Sequence, residues 1–234
     1  MQVAILAGGL ATRLRPLTDT IPKSLVEICG KPFLEYQLDF LRRGGIEDVV
    51  LCVGHQGEKI EGHFGDGRRF GVNIKYSYEK GGLLGTAGAL KNAEHMLEDK
   101  FFVMYGDSYL FLDFATVMSY FDEFEKPGLM VVYKNYDCYD RSNVAIEGNS
   151  VKQYSKKEKT GDMVYIDYGA SLLRKQALEL VPANQVYSLE QLLGQLIELK
   201  ALLAYEVHER FYEVGSPEGL DEFTAFVSKG EVFQ

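Results

Sequence analysis

A chain of 234 residues, 46% hydrophobic and 25% charged, has the makeup of a globular protein with enough material for one large α/β domain or two small ones. Its 34 acidic against 25 basic side chains leave a formal charge of −9, which excludes broad binding to nucleic acid or membrane surfaces but not a small anion held by a few local cations. Cys29, Cys52 and Cys138 are scattered and lack metal-ligand spacing. With no apolar run near ~20 residues and no basic leader, a cytoplasmic location is expected.

Val3-Ala4-Ile5-Leu6 predicts a buried first strand. The turn after it offers Gly8-Gly9, Thr12, Arg13, Arg15 and, behind Pro22, Lys23. Small residues let backbone amides approach phosphate oxygens, and arginine and lysine supply the opposing charge. Ser24 to Ile28 reads as extended. Pro32 suits a first helical position, with Leu34, Leu38 and Leu41 at helical spacing until Gly44-Gly45. Asp48 to Val53 is the nearly continuous apolar run of a strand buried on both faces. A turn at Gly54-His55-Gln56 precedes a short helix to about Phe64, and Gly65-Asp66-Gly67 leads into a strand over Asn73–Tyr78.

Gly81 to Gly88 is a second glycine-rich stretch, feeding a helix that runs to about Leu97. Phe101 to Tyr105 predicts a strand ending in Gly106-Asp107, and Phe114, Val117, Met118, Phe121 and Phe124 form an apolar helical stripe. Alternation of strand and helix over residues 1–125 predicts a parallel sheet with helices on both faces. Residues 126–234 change texture. Strands are expected over Leu129–Tyr133, Ser142–Ile146, Ser150–Tyr154, Val164–Leu173, Leu202–Val207 and Phe211–Val214. Helices are expected through Leu189–Ile197 and from Pro217 to about Ser228.

The opening turn lacks the third glycine of the dinucleotide fingerprint and the Gly-Lys-Ser/Thr of a P-loop. Its whole string, Leu6-Ala-Gly-Gly-Leu-Ala-Thr-Arg-Leu-Arg-Pro-Leu-Thr18 with Pro22-Lys23 beyond, resembles the signature of the sugar-1-phosphate nucleotidylyltransferases. It departs at Ala11, where that family most often has glycine, so the loop is expected to keep φ negative there. The resemblance implies a Rossmann-like, mainly parallel mixed sheet, a nucleotide-binding half over residues 1–125, and a sugar-binding lobe within 126–234, with no C-terminal β-helix.

The resemblance also implies the chemistry. A sugar 1-phosphate oxygen attacks the α-phosphorus of a nucleoside triphosphate in line, and pyrophosphate leaves. Leu6, Ala7, Gly8 and Gly9 would meet the nucleotide, Arg13 the β,γ-phosphates, and Lys23 both the sugar phosphate and the α-phosphate. Asp107 would hold Mg²⁺ together with Glu213, which stands in Phe211-Tyr-Glu-Val-Gly-Ser-Pro-Glu218 where the family has aspartate. Gln56 would read the base, and Gly85 and Thr86 would lie near base and ribose. In the sugar lobe, Lys157 would meet the sugar phosphate, with Asn143, Asp167 and Gly169 around the sugar, while Lys156 and Lys159 read as a solvated charge run.

The short length and Leu-Gly-Thr-Ala-Gly-Ala-Leu resemble enzymes that join GTP to mannose 1-phosphate or manno-heptose 1-phosphate. UTP or dTTP with a glucose-type sugar is the alternative within the class. A non-catalytic subunit that binds nucleotide sugar is the alternative outside it, and the presence of Arg13, Lys23 and Asp107 weighs against that. The expected partners are the two substrates alone, with the chain a monomer or a simple homodimer.

Overall fold

The apolar run at the N-terminus forms a central strand, β1 (Gln2–Leu6), in the computed structural model, which describes residues 1–79 and 81–230. Its side chains alternate as the strand period requires: Val3 and Ile5 enter one hydrophobic core and Ala4 the other. The rest of the chain is wound about it. In order follow α1 (Phe33–Arg43), β2 (Asp48–Val53), α2 (Gly57–Phe64), β3 (Asn73–Tyr78), α3 (Gly85–Ala93), β4 (Lys100–Tyr105) and α4 (Phe114–Asp122). Then come β5 (Gly128–Lys134), β6 (Val144–Glu147), β7 (Ser150–Tyr154), β8 (Tyr165–Arg174), α5 (Leu189–Glu198), β9 (Leu202–Val207) and α6 (Pro217–Ser228).

These nine strands join one sheet in the order β3-β2-β1-β4-β8-β5-β9-β7-β6, and four two-residue strands form two separate small ladders. The first four are mutually parallel. β8 runs antiparallel to both β4 and β5, while β9 is parallel to β5, so the sheet is mixed. The second half therefore extends the first half's sheet and is not a body apart from it. Leu34, Leu38 and Leu41 of α1, Ile60 and Phe64 of α2, and Phe114, Val117 and Phe121 of α4 pack on one face. Ala87 and Leu90 of α3 and Leu189, Leu192, Leu193 and Leu196 of α5 cover the other. Among the described residues, no helix is long and apolar enough to cross a membrane.

Helix boundaries follow their caps. Asp113 accepts a hydrogen bond from Thr116 N at 3.0 Å to start α4, and Ser188 with Gln191 forms a capping box for α5. Pro32 precedes α1 as its cap and is not its first helical residue, because it is still paired as part of a two-residue ladder with Glu27. The expected extension over Ser24–Ile28 is shorter than the sequence suggests: Lys23–Leu25 is a 3₁₀ turn, and only Glu27–Ile28 is extended.

The winding reverses direction at β1, with β2 on one side of it and β4 on the other. A crevice opens at the carboxyl ends of β1 and β4, the usual ligand position of open α/β sheets. Gly106 N donates to Leu6 O at 3.1 Å and Ala7 N donates to Cys52 O at 2.9 Å, which pins both strand-end loops to the crevice.

Candidate active site

The loop after β1 winds through 3₁₀ turns at Thr12–Leu14 and Leu17–Asp19 before Lys23. Ala11 has φ 48° and ψ 39°, so the expectation of a negative φ at this position is overturned. The carbonyl of Ala11 accepts from Leu14 N at 3.1 Å and from the Thr18 hydroxyl at 2.7 Å, two bonds that offset the ~1–2 kcal/mol disfavouring a left-handed alanine. Alanine is thus held in the left-handed conformation that glycine adopts readily.

Two adjoining clefts open beside this loop. Leu6, Ala7, Gly8 and Gly9 line the first, together with Lys23, Glu79, Gly85 and Thr86. The second is lined by Arg13, Asn143, Lys156, Asp167, Gly169 and Glu213, with Asp140 and Arg141 at its loop side. Tyr105 and Asp107 line both. Arg13, expected over the nucleotide's terminal phosphates, lines the second cleft, where it adjoins the first.

Two ion pairs cross this junction. Lys23 Nζ lies 2.6 Å from Asp107 Oδ2, with only 18% and 22% of the two side chains exposed. Arg13 lies 2.8 Å from Glu213 Oε1. Glu213 pairs with Ser108 in a short antiparallel bridge, and Val214 N donates to Asp107 O at 2.8 Å. These bonds set the two acids side by side although 106 positions separate them in the chain. Burial first, and then the Asp107 charge, push the Glu213 carboxyl above its ordinary value, while Arg13 and Lys23 pull it back. A Cβ on Gly215 would fall 2.3 Å from Glu213 Oε1 and 2.7 Å from the Arg13 guanidinium, so the pair occupies the space that glycine leaves. Because Asp113 itself caps α4, Asp107 is free of that duty.

Around the first cleft, residues expected at the nucleotide also make contacts within the protein. Gln56 is outside the lining. Its left-handed backbone (φ 61°) at the start of α2 turns its amide to His55 Nε2 at 3.0 Å and to Asp19 O at 3.5 Å. The acid at the end of β3, Glu79, stands in the lining instead. Its Oε1 accepts from Leu84 N at 2.9 Å, and a Cβ on Gly8 would come within 3.1 Å of Oε2. Burial holds this carboxyl above its ordinary value, and the Leu84 bond lowers it. The close approach at Gly85 is made by the Tyr187 backbone: a Cβ there would be 2.8 Å from Tyr187 O. That carbonyl also accepts from Ala87 N and Gly88 N, and the Thr86 hydroxyl accepts from Leu189 N at 2.6 Å. The first turn of α3 thus serves to dock α5.

The second cleft is built on a β-bulge. The pairing of β8 with β5 shifts register between Asp167 and Ser171, and Gly169 there has φ 91°. Asp167 is heavily engaged. Its Oδ2 accepts from the Tyr154 hydroxyl at 2.9 Å and from the Tyr105 hydroxyl at 3.4 Å, its Oδ1 accepts from Gly169 N at 3.0 Å, and its amide donates to Asn143 Oδ1 at 2.9 Å. Asn143 thereby keeps its amide NH₂ for a ligand.

The two neighbouring lysines are placed differently. Lys156, and not Lys157, lines this cleft, 3.3 Å from the Tyr105 hydroxyl and 4.7 Å above its ring. The strand ends at Tyr154, and the chain turns there, with Ser155 Oγ accepting from Lys157 N at 3.2 Å and Glu158 N at 3.0 Å while Lys156 N donates to Glu190 Oε1 at 2.8 Å. Lys159 is paired with Asp137 and is not merely solvated. Asp140 and Arg141 escaped sequence reading altogether, since their loop carries no motif. Glu79 had a usable signal, the same strand-end rule that singled out Asp107.

Glycine-lined strand ends, cations and acids meeting at two adjoining clefts define an α/β protein of the phosphate-handling class, and comparison with known proteins narrows it. The chain belongs to the nucleotidyl transferase family, whose model matches residues 2–143. It is similar to a D-glycero-alpha-D-manno-heptose 1-phosphate guanylyltransferase of Campylobacter jejuni, at 31% identity covering 95% of this chain and 98% of that protein. It is also similar to a UTP–glucose-1-phosphate uridylyltransferase of Synechocystis, at 31% identity covering 81% of this chain but only 53% of that protein. Among solved structures, HddC of Yersinia pseudotuberculosis complexed with GMP-PN shares the fold with a TM-score of 0.80 and 27% identity, covering 97% of this chain and 99% of that one.

Proposed function

We propose that this chain transfers a guanylyl group from GTP to a manno-configured sugar 1-phosphate, releasing pyrophosphate and forming a GDP-sugar. The observation that carries the choice of base is Glu79 in the first cleft. Guanine presents two adjacent donors, N1–H and the N2 amino group, and an ionised carboxylate is a pure acceptor. Uracil and thymine set one N–H between two carbonyl oxygens, which such a carboxylate repels. The Campylobacter guanylyltransferase, matched over almost its full length, and the GMP-PN complex of the Yersinia protein support the same base. The Synechocystis relative supports the uridylyl alternative, with a glucose-type acceptor.

In this reading residues 1–125 supply most of the nucleotide side, and residues 126–234 supply the sugar lobe and Glu213. An ionised oxygen of the sugar phosphate attacks the α-phosphorus. The new P–O bond forms as the bond to the β-phosphate breaks, and the electron pair leaves with pyrophosphate. No proton has to move, so the work is positioning and charge neutralisation. Lys23 serves the first cleft and Arg13 the second. Lys156 takes the role expected of Lys157 at the sugar phosphate, and Asn143 and Asp167 bound the sugar.

Asp107 and Glu213 would hold Mg²⁺. No group of three or more potential ligands occurs among the described residues, and two carboxylates completed by substrate phosphates and water is the usual Mg²⁺ arrangement. When bound, the ion neutralises charge on the phosphates. The raised Glu213 carboxyl fits such a site, because the two acids repel until a cation or an ion-pair partner stands between them. Convergence of Arg13, Lys23 and Asp107 supports an enzyme over a binding subunit. Three unpaired cysteines support a reducing cytoplasm, and the reading extends to a monomer or simple homodimer. A grid of five nucleoside triphosphates against mannose, manno-heptose and glucose 1-phosphates, scored by pyrophosphate release, tests it. The fastest pair should contain GTP and a manno sugar; a UTP–glucose optimum, or no release anywhere, contradicts it.

A further inference from the structure

Tyr105 ends β4, and its backbone and side chain are held by separate devices. Its carbonyl accepts at 3.0 Å from Nε2 of Gln37, a fully buried side chain of α1, and the same nitrogen donates to Ser108 O at 2.8 Å. The strand end that carries Asp107 is thereby clamped on both sides. The hydroxyl lies within a polar relay. It donates to Asp167 Oδ2, which also accepts from Tyr154, and it accepts from Lys156 Nζ. The Lys156 ammonium meets the face of the Tyr105 ring as well.

We propose that Tyr105 is a positioning residue for the sugar 1-phosphate, its hydroxyl and ring together holding the Lys156 ammonium at the junction of the two clefts. The assignment rests on reading the second cleft as the acceptor site. An exposed lysine on a four-carbon stem is otherwise free to sample many rotamers, and ordering it opposes ligand binding. The ring and hydroxyl restrict it beforehand. An ammonium has three donors, so one bond to Tyr105 leaves others for a phosphate. The Asp167 carboxylate at the far end of the relay strengthens the hydroxyl as an acceptor. Tyr105 also forms the wall shared by both clefts, which places the ammonium where an acceptor phosphate has to meet a nucleotide.

Calorimetric titration of the full chain with mannose 1-phosphate, glucose 1-phosphate and, separately, GTP tests this without requiring turnover. Tyr105→Phe keeps the ring and removes the hydroxyl. The expected result is about five- to tenfold weaker binding of the tighter sugar phosphate, the range of one hydrogen bond, with GTP binding changed less than about twofold. Lys156→Met, on an exposed loop, should weaken the sugar phosphate at least as much, and adding Tyr105→Phe to it should cost nothing further. Unchanged binding in Tyr105→Phe, equal losses with and without Lys156, or losses falling equally on GTP would overturn the proposal. So would a wild-type chain that binds neither sugar phosphate. Wild-type binding without pyrophosphate release would instead overturn the transfer reading and leave Tyr105 in its role.

Discussion

The two clefts are built in different ways. The first is made from the carboxyl ends of parallel strands, with backbone and strand-end side chains facing inward: Gly8 and Gly9 after β1, Glu79 after β3, Asp107 after β4. The second is made from side chains on a bulged antiparallel strand and on a loop whose shape depends on a local polar network. In that loop, buried Asn135 donates to Asp140 O and to the Ser142 hydroxyl, and Asp137 accepts from Ser142 N. Tyr136 and Asp137 both have positive φ. A site at strand ends is fixed by topology. A site on such a loop is fixed by hydrogen bonds that can be rearranged by small changes, so on the proposed reading it is the part of the molecule where the choice of sugar is free to vary.

The contrast predicts where substitutions act. Lys23→Ala and Asp107→Ala, at the junction, should each lower kcat by about a hundredfold or more while circular dichroism stays native, the scale seen when a preorganised charge is removed. Arg141→Ala, on the loop, should raise KM for the sugar 1-phosphate by about three- to tenfold and leave KM for the nucleotide alone. A loss on the nucleotide side would break the division between the clefts.

Glu213→Gln sharpens it further, since activity and stability should separate. Burial and Asp107 raise the Glu213 carboxyl in the fold, so the folded chain holds that proton more tightly than the unfolded chain does. The resulting stabilisation is present at acid pH, below the ordinary glutamate range, and is lost as pH rises through the raised value. At pH 8 the ionised side chain is a net burden. Glu213→Gln should therefore weaken Mg²⁺-dependent turnover yet leave the Tm at pH 8 unchanged or higher; a clear fall in Tm would show that the Arg13 pair outweighs burial. The smallest effect is expected at Ala11. Ala11→Gly relieves the left-handed strain but adds freedom to the unfolded chain, for a net gain of about 0.5 kcal/mol, or roughly 1–2 °C by thermal melting.

The same contrast explains what could be read in advance. The strand–helix alternation of residues 1–125 and the buried runs Asp48–Val53 and Asn73–Tyr78 are local patterns, and they give the parallel core. The placement of β8 between β4 and β5 is not local and depends on sheet pairing far along the chain. Gly8, Gly9, Lys23 and Asp107 follow from motif and strand-end position. The turn of Gln56 away from the cleft follows from a positive φ that glutamine does not announce. The placement of Lys156 in the second cleft depends on a turn just past the strand end at Tyr154, held by the Ser155 hydroxyl, which no periodicity announces. Asp140 and Arg141 carried no such pattern.

The reading of guanine by a strand-end carboxylate is the central claim, and the most direct test is the ratio of kcat/KM for GTP to that for UTP with mannose 1-phosphate as acceptor. Wild type should favour GTP by at least about tenfold, and Glu79→Gln should bring the ratio down by about ten- to a hundredfold, the scale of one paired base-edge contact. Because burial raises the Glu79 carboxyl, the GTP preference of the wild type should also weaken on acidification before an ordinary glutamate would titrate. A ratio that is the same in wild type and Glu79→Gln would contradict the account.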